Sequence, residues 1–227
     1  NSVEYEWSYT YHVIPEPFTA PRDTTVEVQC IADVKLVDIE TPVVTNSCGT
    51  VIVPVRLTDP DSTFDGCSGT VKYRWKYDDC TGQHEKVWTF TYVVQDTIKP
   101  TFTVPAEYTI CRQLNGSYDA DTAFTGKPTN LADNCLSSDS LKVTYRDEVT
   151  NHITSQDTLT RTWKVADKCN DTMQVQRILI NPVLRVNLKD TICAGELYDH
   201  NGFDFIAHAD TTVYDTLASV RTGCDSR

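Results

Sequence analysis

Three cysteines in the first half of the chain, Cys30, Cys48 and Cys80, recur in the second half as Cys111, Cys135 and Cys169. The flanking words recur with them. Asn46-Ser47-Cys48 is answered by Asp133-Asn134-Cys135, and Arg74-Trp75-Lys76 before Cys80 by Thr162-Trp163-Lys164 before Cys169. Proline punctuation repeats too, Pro17-Phe18-Thr19-Ala20-Pro21 returning as Pro100-Thr101-Phe102-Thr103-Val104-Pro105. Self-similarity at a spacing of roughly 80 residues is the mark of an array of like modules, and it constrains the fold before any chemistry is considered.

Modules of that size bury a modest core, so covalent staples are a common supplement. The chain carries 9 cysteines in 227 residues without paired C-x-x-C knuckles. This favours a disulfide framework in an oxidising compartment over structural zinc. Acidic residues outnumber basic ones 32 to 20, a net charge of -12. Such a surface repels phosphate backbones and anionic lipid, which argues against nucleic acid as a partner. No apolar run approaches the ~20 residues that cross a bilayer, which argues against membrane insertion. Neither a signal segment nor an initiator Met is present at residue 1, so an export signal is expected to have been removed or to lie elsewhere.

Alternation with period two dominates. Lys72 to Tyr77 alternates without a break, as do Trp88, Phe90, Tyr92 and Val94. Further candidate strands carry Val26, Val28 and Cys30; Val51, Val53, Val55 and Leu57; Leu141, Val143 and Tyr145; and Leu159, Trp163 and Val165. Turn words separate them, and no helical stripe exceeds two turns. The expected fold class is all-β, with tandem Ig-like β-sandwich modules and disulfides.

The ends refine the division. Trp7 to Val13, followed by the proline word, parallels Trp88 to Val94 before Pro100, so residues 1–18 are expected to hold the last strand of a preceding module. Module 1 then spans 19–100 and module 2 spans 101–182. Residues 183–227 break the pattern and are expected to be an incomplete β-rich repeat of a longer protein.

Val28 to Cys30, Asn46 to Cys48, Asp65-Gly66-Cys67-Ser68-Gly69, Trp75 and Asp78 to Gly82 together resemble the hyalin-repeat-like (HYR-like) modules of large bacterial surface proteins. Module 2 is similar at Cys111, Asp133-Asn134-Cys135, Thr160 to Trp163 and Asp167-Lys168-Cys169-Asn170, but has no counterpart of Cys67. The segment with Cys193-Ala194-Gly195 and Gly223-Cys224 resembles another repeat of the same proteins. The resemblance implies exported proteins of the outer cell surface, associated with adhesion and without catalytic residues in the repeats. Within that family frame Cys48 is expected to pair with Cys80, Cys135 with Cys169, Cys30 with Cys67 and Cys193 with Cys224. Cys111 is left as a free thiol.

Catalytic signatures are missing. The five histidines, His12, His84, His152, His200 and His208, have no metal spacing, and no nucleophile elbow, phosphate loop or dinucleotide fingerprint occurs. Asp78 and Asp79 are adjacent on a strand end and face opposite ways, unlike a glycosidase pair. The loop Asp59-Pro60-Asp61-Ser62-Thr63-Phe64-Asp65 offers oxygen ligands to Ca²⁺ through Asp59, Asp61 and Asp65, without the EF-hand order. Tyr5, Tyr9, Tyr73 and Tyr77 form either a sugar-stacking platform or ordinary cross-strand packing. No cofactor is otherwise expected. The sequence reads as a non-enzymatic structural or adhesive fragment that spaces or presents binding regions. Its expected partners are adjacent modules of the same longer chain, with host protein or glycan beyond them. The alternatives are a glycan- or protein-binding module and the accessory region of a surface hydrolase.

Overall fold

The computed structural model describes residues 2–11, 18–46, 49–58, 60–79, 84–150, 156–183, 187–214, 217–218 and 224–226. The fold is all-β, strands in several sheets with almost no helix. The chain divides into two compact units. Unit 1 is 1–99 together with the short segments 133–137 and 167–170, and unit 2 is the remainder.

Unit 1 contains β1 (Thr24–Val28), β2 (Val44–Thr45), β3 (Val51–Ile52), β4 (Val55–Arg56), β5 (Asp61–Ser62), β6 (Ser68–Asp78) and β7 (Glu85–Gln95). The main sheet runs β1-β7-β6-β4, with β5 also on β6. β1 lies parallel to β7, and β6 and β7 are antiparallel with Trp75 opposite Trp88. Their alternation follows from composition. The β-branched and aromatic residues of both strands fit a pleated surface, and every second side chain turns to the core. Phe18, Val44, Ile52, Trp75, Tyr77 and Trp88 form one buried cluster; Val71, Tyr92 and Val94 form a second. The polar tips of the core aromatics reach backbone carbonyls: Tyr77 donates to Pro42 at 2.7 Å, Trp88 Nε1 to Arg22 at 2.9 Å and Tyr92 to Lys35 at 3.1 Å. These bonds remove the cost of burying a hydroxyl or indole N–H and tie the connections before β2 to the sheet.

The run expected as one strand through Val51, Val53, Val55 and Leu57 is instead two short strands, β3 and β4, with Pro54 between them. Proline has no N–H to give a ladder, so the run breaks there.

Unit 2 contains β8 (Thr101–Thr103), β9 (Tyr108–Cys111), a one-turn helix α1 (Thr122–Thr125), β10 (Thr129–Ala132), β11 (Lys142–Thr150), β12 (Asp157–Ala166) and β13 (Asp171–Asn181). The pairs β14 (Leu197–His200) with β15 (Phe203–Ile206) and β16 (Leu217–Ala218) with β17 (Asp225–Ser226) follow. The main sheet runs β11-β12-β13-β9, with β9 parallel to β13 as β1 is to β7. β12 alternates buried and half-buried residues along its whole length. Its apolar positions Leu159 and Val165 face inward, and Leu159 packs with Ile110, Ile178 and Ile180.

Arg161, on the inward side of β12, is 1% exposed. Its guanidinium donates from Nε and Nη2 to Asp147 at 2.8 Å each, from Nη1 to Thr125 Oγ1 at 2.8 Å and from Nη2 to the Ala120 carbonyl at 2.7 Å. It also lies 4.2 Å over the Tyr145 ring. A cation so deep is tolerable because its donors are matched and its charge is paired.

Residues 2–11 form no strand, and Tyr5, Trp7, Tyr9 and Tyr11 stand exposed.

Candidate functional site

The sequence word Asp-x-Cys has a single structural meaning at three places. Asp65 Oδ1 accepts the N–H groups of Cys67 and Ser68, both at 2.9 Å. Asp133 Oδ2 accepts those of Cys135 at 2.9 Å and Leu136 at 2.8 Å. Asp167 Oδ1 accepts those of Cys169 and Asn170, the latter at 2.6 Å. A carboxylate that gathers the two following donors closes a tight turn and fixes where the cysteine points. At Asp65 these hydrogen bonds, from Ser68 first and then Cys67, hold the carboxyl below its ordinary value of 3.8. Gly66, at φ +111°, completes that turn, and Gly69 follows where a Cβ would stand 2.6 Å from the Phe64 Cα.

The turns present three cysteines to disulfides, but not those expected. Cys30 bonds Cys135, Cys67 bonds Cys169 and Cys111 bonds Cys224. The expected Cys30–Cys67, Cys135–Cys169 and Cys193–Cys224 pairs are therefore incorrect. Cys111, expected free, is bonded, and Cys193 is an exposed free cysteine. The expected Cys48–Cys80 pair lies outside the described residues. The physical reason is in the fold of unit 1. The turns at 133–137 and 167–170 are part of that unit, which brings Cα atoms 5.1 Å and 5.3 Å apart across sequence separations of 105 and 102. These lie within the span a disulfide requires. Like modules carry like cysteine words, so sequence alone does not distinguish pairing within a module from pairing with the next.

Around two of these disulfides stand three carboxylates. Asp96, Asp133 and Cys135 offer atoms mutually within 4.8 Å, and so do Asp96, Asp167 and Cys169. Both sulfurs are in disulfides, leaving oxygen as the donor chemistry. Asp133 Oδ1 and Asp167 Oδ2 are buried and have no hydrogen-bond partner. Asp96 is pushed above its ordinary value by burial, and further by the charges of Asp167 and Asp133, against the hydrogen bond from the Ile98 N–H. Sequence reading passed over these acids because they lie far apart along the chain; Asp133 and Asp167 share the place two residues before a cysteine, which was the available signal, and Asp96 has no such neighbour.

The loop expected to suit Ca²⁺ is differently employed. Asp61 Oδ2 pairs with Arg74 at 3.1 Å, Asp65 caps its turn, and Asp59 lies outside the described residues. Asp78 and Asp79 take different partners, Lys76 at 3.3 Å and His84 at 2.7 Å. Tyr77 is wholly buried and Tyr73 packs partly buried against the core, whereas Tyr5 and Tyr9 are exposed. His12 and His152 lie outside the described residues, and His200 packs edge-on against Tyr198. Among the described residues no helix is long and apolar enough to cross a membrane.

Comparison with known families matches residues 18–94 to the HYR-like domain with 4 cysteines. Residues 18–94 are a HYR-like domain. The matched stretch holds Cys30, Cys48, Cys67 and Cys80, and it covers the main sheet of unit 1. The HYR-like domain is an extracellular, non-enzymatic type of module, which accords with the disulfides. No curated protein matches the chain. Solved structures similar in part include a human mucin-like protocadherin EC1-2, at 8% identity and a TM-score of 0.24, covering 74% of this chain and 98% of that one. An endo-fucoidan hydrolase from glycoside hydrolase family 107 is 12% identical with a TM-score of 0.22, covering 72% of this chain and 28% of that one. Neither likeness carries an argument about function beyond the HYR-like domain itself.

Proposed function

We propose that this chain is a spacing and presenting region of an exported, multi-module cell-surface protein of the bacterial adhesin kind, whose work is mechanical. The observation that carries the reading is the disulfide pattern. Two cysteines of the HYR-like domain, Cys30 and Cys67, are bonded to cysteines more than a hundred residues further on. Both bonds lie within unit 1 and close loops of about a hundred residues, so under tension they would keep the chain between their ends from extending. The recurrence of a first strand parallel to the last, β1 with β7 and β9 with β13, supports reading the two sheets as successive modules. In this reading residues 19–100 and 101–182 are the two modules, and their natural neighbours are further modules of the same longer chain.

The second reading, a module that binds glycan or host protein, is favoured by Tyr5, Trp7, Tyr9 and Tyr11, all at least 71% exposed. Exposed aromatics are the usual stacking surface for sugars and the usual anchors of protein interfaces. A glycan array and a cell-binding assay with the oxidised chain decide between them. The spacing reading expects no saturable ligand. Saturable binding that is lost in Trp7→Ala or Tyr9→Ala overturns it in favour of the binding module.

A further inference from the structure

We propose that residues 3–11 of one copy of this chain add as a further strand to the open edge of β11 in a second copy, an interaction beyond both readings above. In the donor segment Val3, Tyr5, Trp7, Tyr9 and Tyr11 alternate with Glu4, Glu6, Ser8 and Thr10. An extended chain puts the first set on one face and the second on the other. Tyr9 and Tyr11 already meet edge to face on that shared side, their ring centroids 4.7 Å apart. The five apolar side chains are 69% to 87% exposed, and residues 2–11 form no strand. An apolar stripe patterned for a sheet and standing outside one marks an interaction surface.

The acceptor is β11. Among the described residues it pairs only with β12, keeps one register with it for nine residues, and has no proline or glycine to blunt its edge. Its core-side residues Val143, Tyr145 and Val149 stand opposite Val165, Trp163 and Leu159, which are buried. The three are themselves 37% to 48% exposed, because the sheet stops at β11. A parallel strand with Glu4 opposite Lys142 completes that layer. Tyr5 then falls beside Val143, Trp7 beside Tyr145 and Tyr11 beside Val149, while Tyr9 brings a hydroxyl to the Asp147 side. On the other face Glu6 stands diagonally between Lys142 and Arg146, Ser8 meets Arg146, Thr10 meets Glu148, and no like charges are opposed. Arg146 is engaged by Glu148 of its own strand at 3.1 Å, an exposed pair that is readily exchanged. A parallel edge strand is also what this fold already uses, β1 on β7 and β9 on β13. The match of charge and apolar pattern selects a second copy as the occupant. Donor and acceptor are different surfaces, so the contact is heterologous and copies follow one another head to tail.

The test is sedimentation velocity of the oxidised 227-residue chain, with peptide mapping to check the disulfides of every variant. The parent's average mass should climb with concentration, and Trp7→Ala should weaken the association about tenfold or more, as loss of a buried aromatic anchor does. Two charge-reversed chains, Glu4→Lys/Glu6→Lys and Lys142→Glu/Arg146→Glu, should each self-associate roughly tenfold more weakly than the parent, because like charges then face one another. An equal mixture of the two should recover the parent's behaviour, since each donor segment again meets an edge of opposite charge and the mean net charge is unchanged. The proposal is overturned if the parent stays monomeric at about 0.5 mM, far above the ~1 µM at the weak end for interfaces of ordinary size. It is equally overturned if either reversed chain associates as the parent does, or if the mixture associates no better than its two components.

Discussion

Held at its two ends and pulled, the oxidised chain should extend to only a fraction of its length. The shortest covalent route follows residues 1–30, crosses to Cys135, runs back along 135–111, crosses from Cys111 to Cys224 and leaves at 227. That route is roughly 60 residues, or about 200 Å at ~3.4 Å per residue, against about 770 Å for the reduced chain of 227 residues. Replacing Cys111 and Cys224 by serine leaves two bonds that offer nearly equal routes, through Cys30–Cys135 or Cys67–Cys169, of roughly 125 residues and about 420 Å. Single-molecule force spectroscopy with handles at both ends reads these lengths directly, before and after a reductant. An oxidised chain that extends beyond about 300 Å, or a double variant that extends no further than its parent, refutes the pairing and the mechanical argument resting on it.

Asp147→Asn should destabilise the protein by roughly 3 kcal/mol in a denaturant melt, because it leaves the Arg161 charge buried without its partner; a change below about 0.5 kcal/mol would show the pair to be dispensable. Gly69→Ala places a Cβ against the Phe64 backbone at a φ of +144° and should cost roughly 2 kcal/mol or more, read as a lowered melting temperature, whereas an unchanged melt would refute the close approach. The two shifted acids should act in opposite directions on acid stability. Asp65, depressed below 3.8, contributes stability that is present above that pH and lost as pH falls through its lower folded value. Asp96, raised, contributes stability that is full below 3.8 and lost as pH rises through its folded value. In EDTA, Asp96→Asn should therefore flatten the decline in stability on the alkaline side of 3.8, and Asp65→Asn the loss on the acid side; identical pH profiles for parent and variants would contradict both.

The strands that the sequence showed best are those whose neighbours on both sides are strands. Unbroken alternation from Lys72 to Tyr77 and from Trp88 to Val94 became β6 and β7, and Leu159, Trp163 and Val165 fell on the inward face of β12. Where the chain covers the ends of a sheet, pattern gave way to single residues: Pro54 split an otherwise good strand into β3 and β4. The family resemblance was legible because its words, Asp-x-Cys above all, are local turns closed by one side chain. Disulfide partners were not legible, since the same words stand at both ends of every alternative pairing and only the fold brings Cys30 to Cys135. The Asp96, Asp133 and Asp167 group was hidden for the same reason. Each acid has an evident local role, and the approach of Asp96 to Asp133 and to Asp167 is a property of unit 1 alone.

The aspartate that precedes Cys135 and Cys169 at two residues' distance shapes a turn, but it also sets the chemical durability of the bond beside it. A disulfide is broken by an incoming thiolate and releases another, and both are anions. With Asp96, Asp133 and Asp167 held near the Cys135 and Cys169 sulfurs, the attacking anion is repelled and the departing thiolate is made a poorer leaving group. The two disulfides of unit 1 are thereby shielded from exchange by fixed negative charge, so they should outlast encounters with small thiols that would reshuffle a disulfide in neutral surroundings.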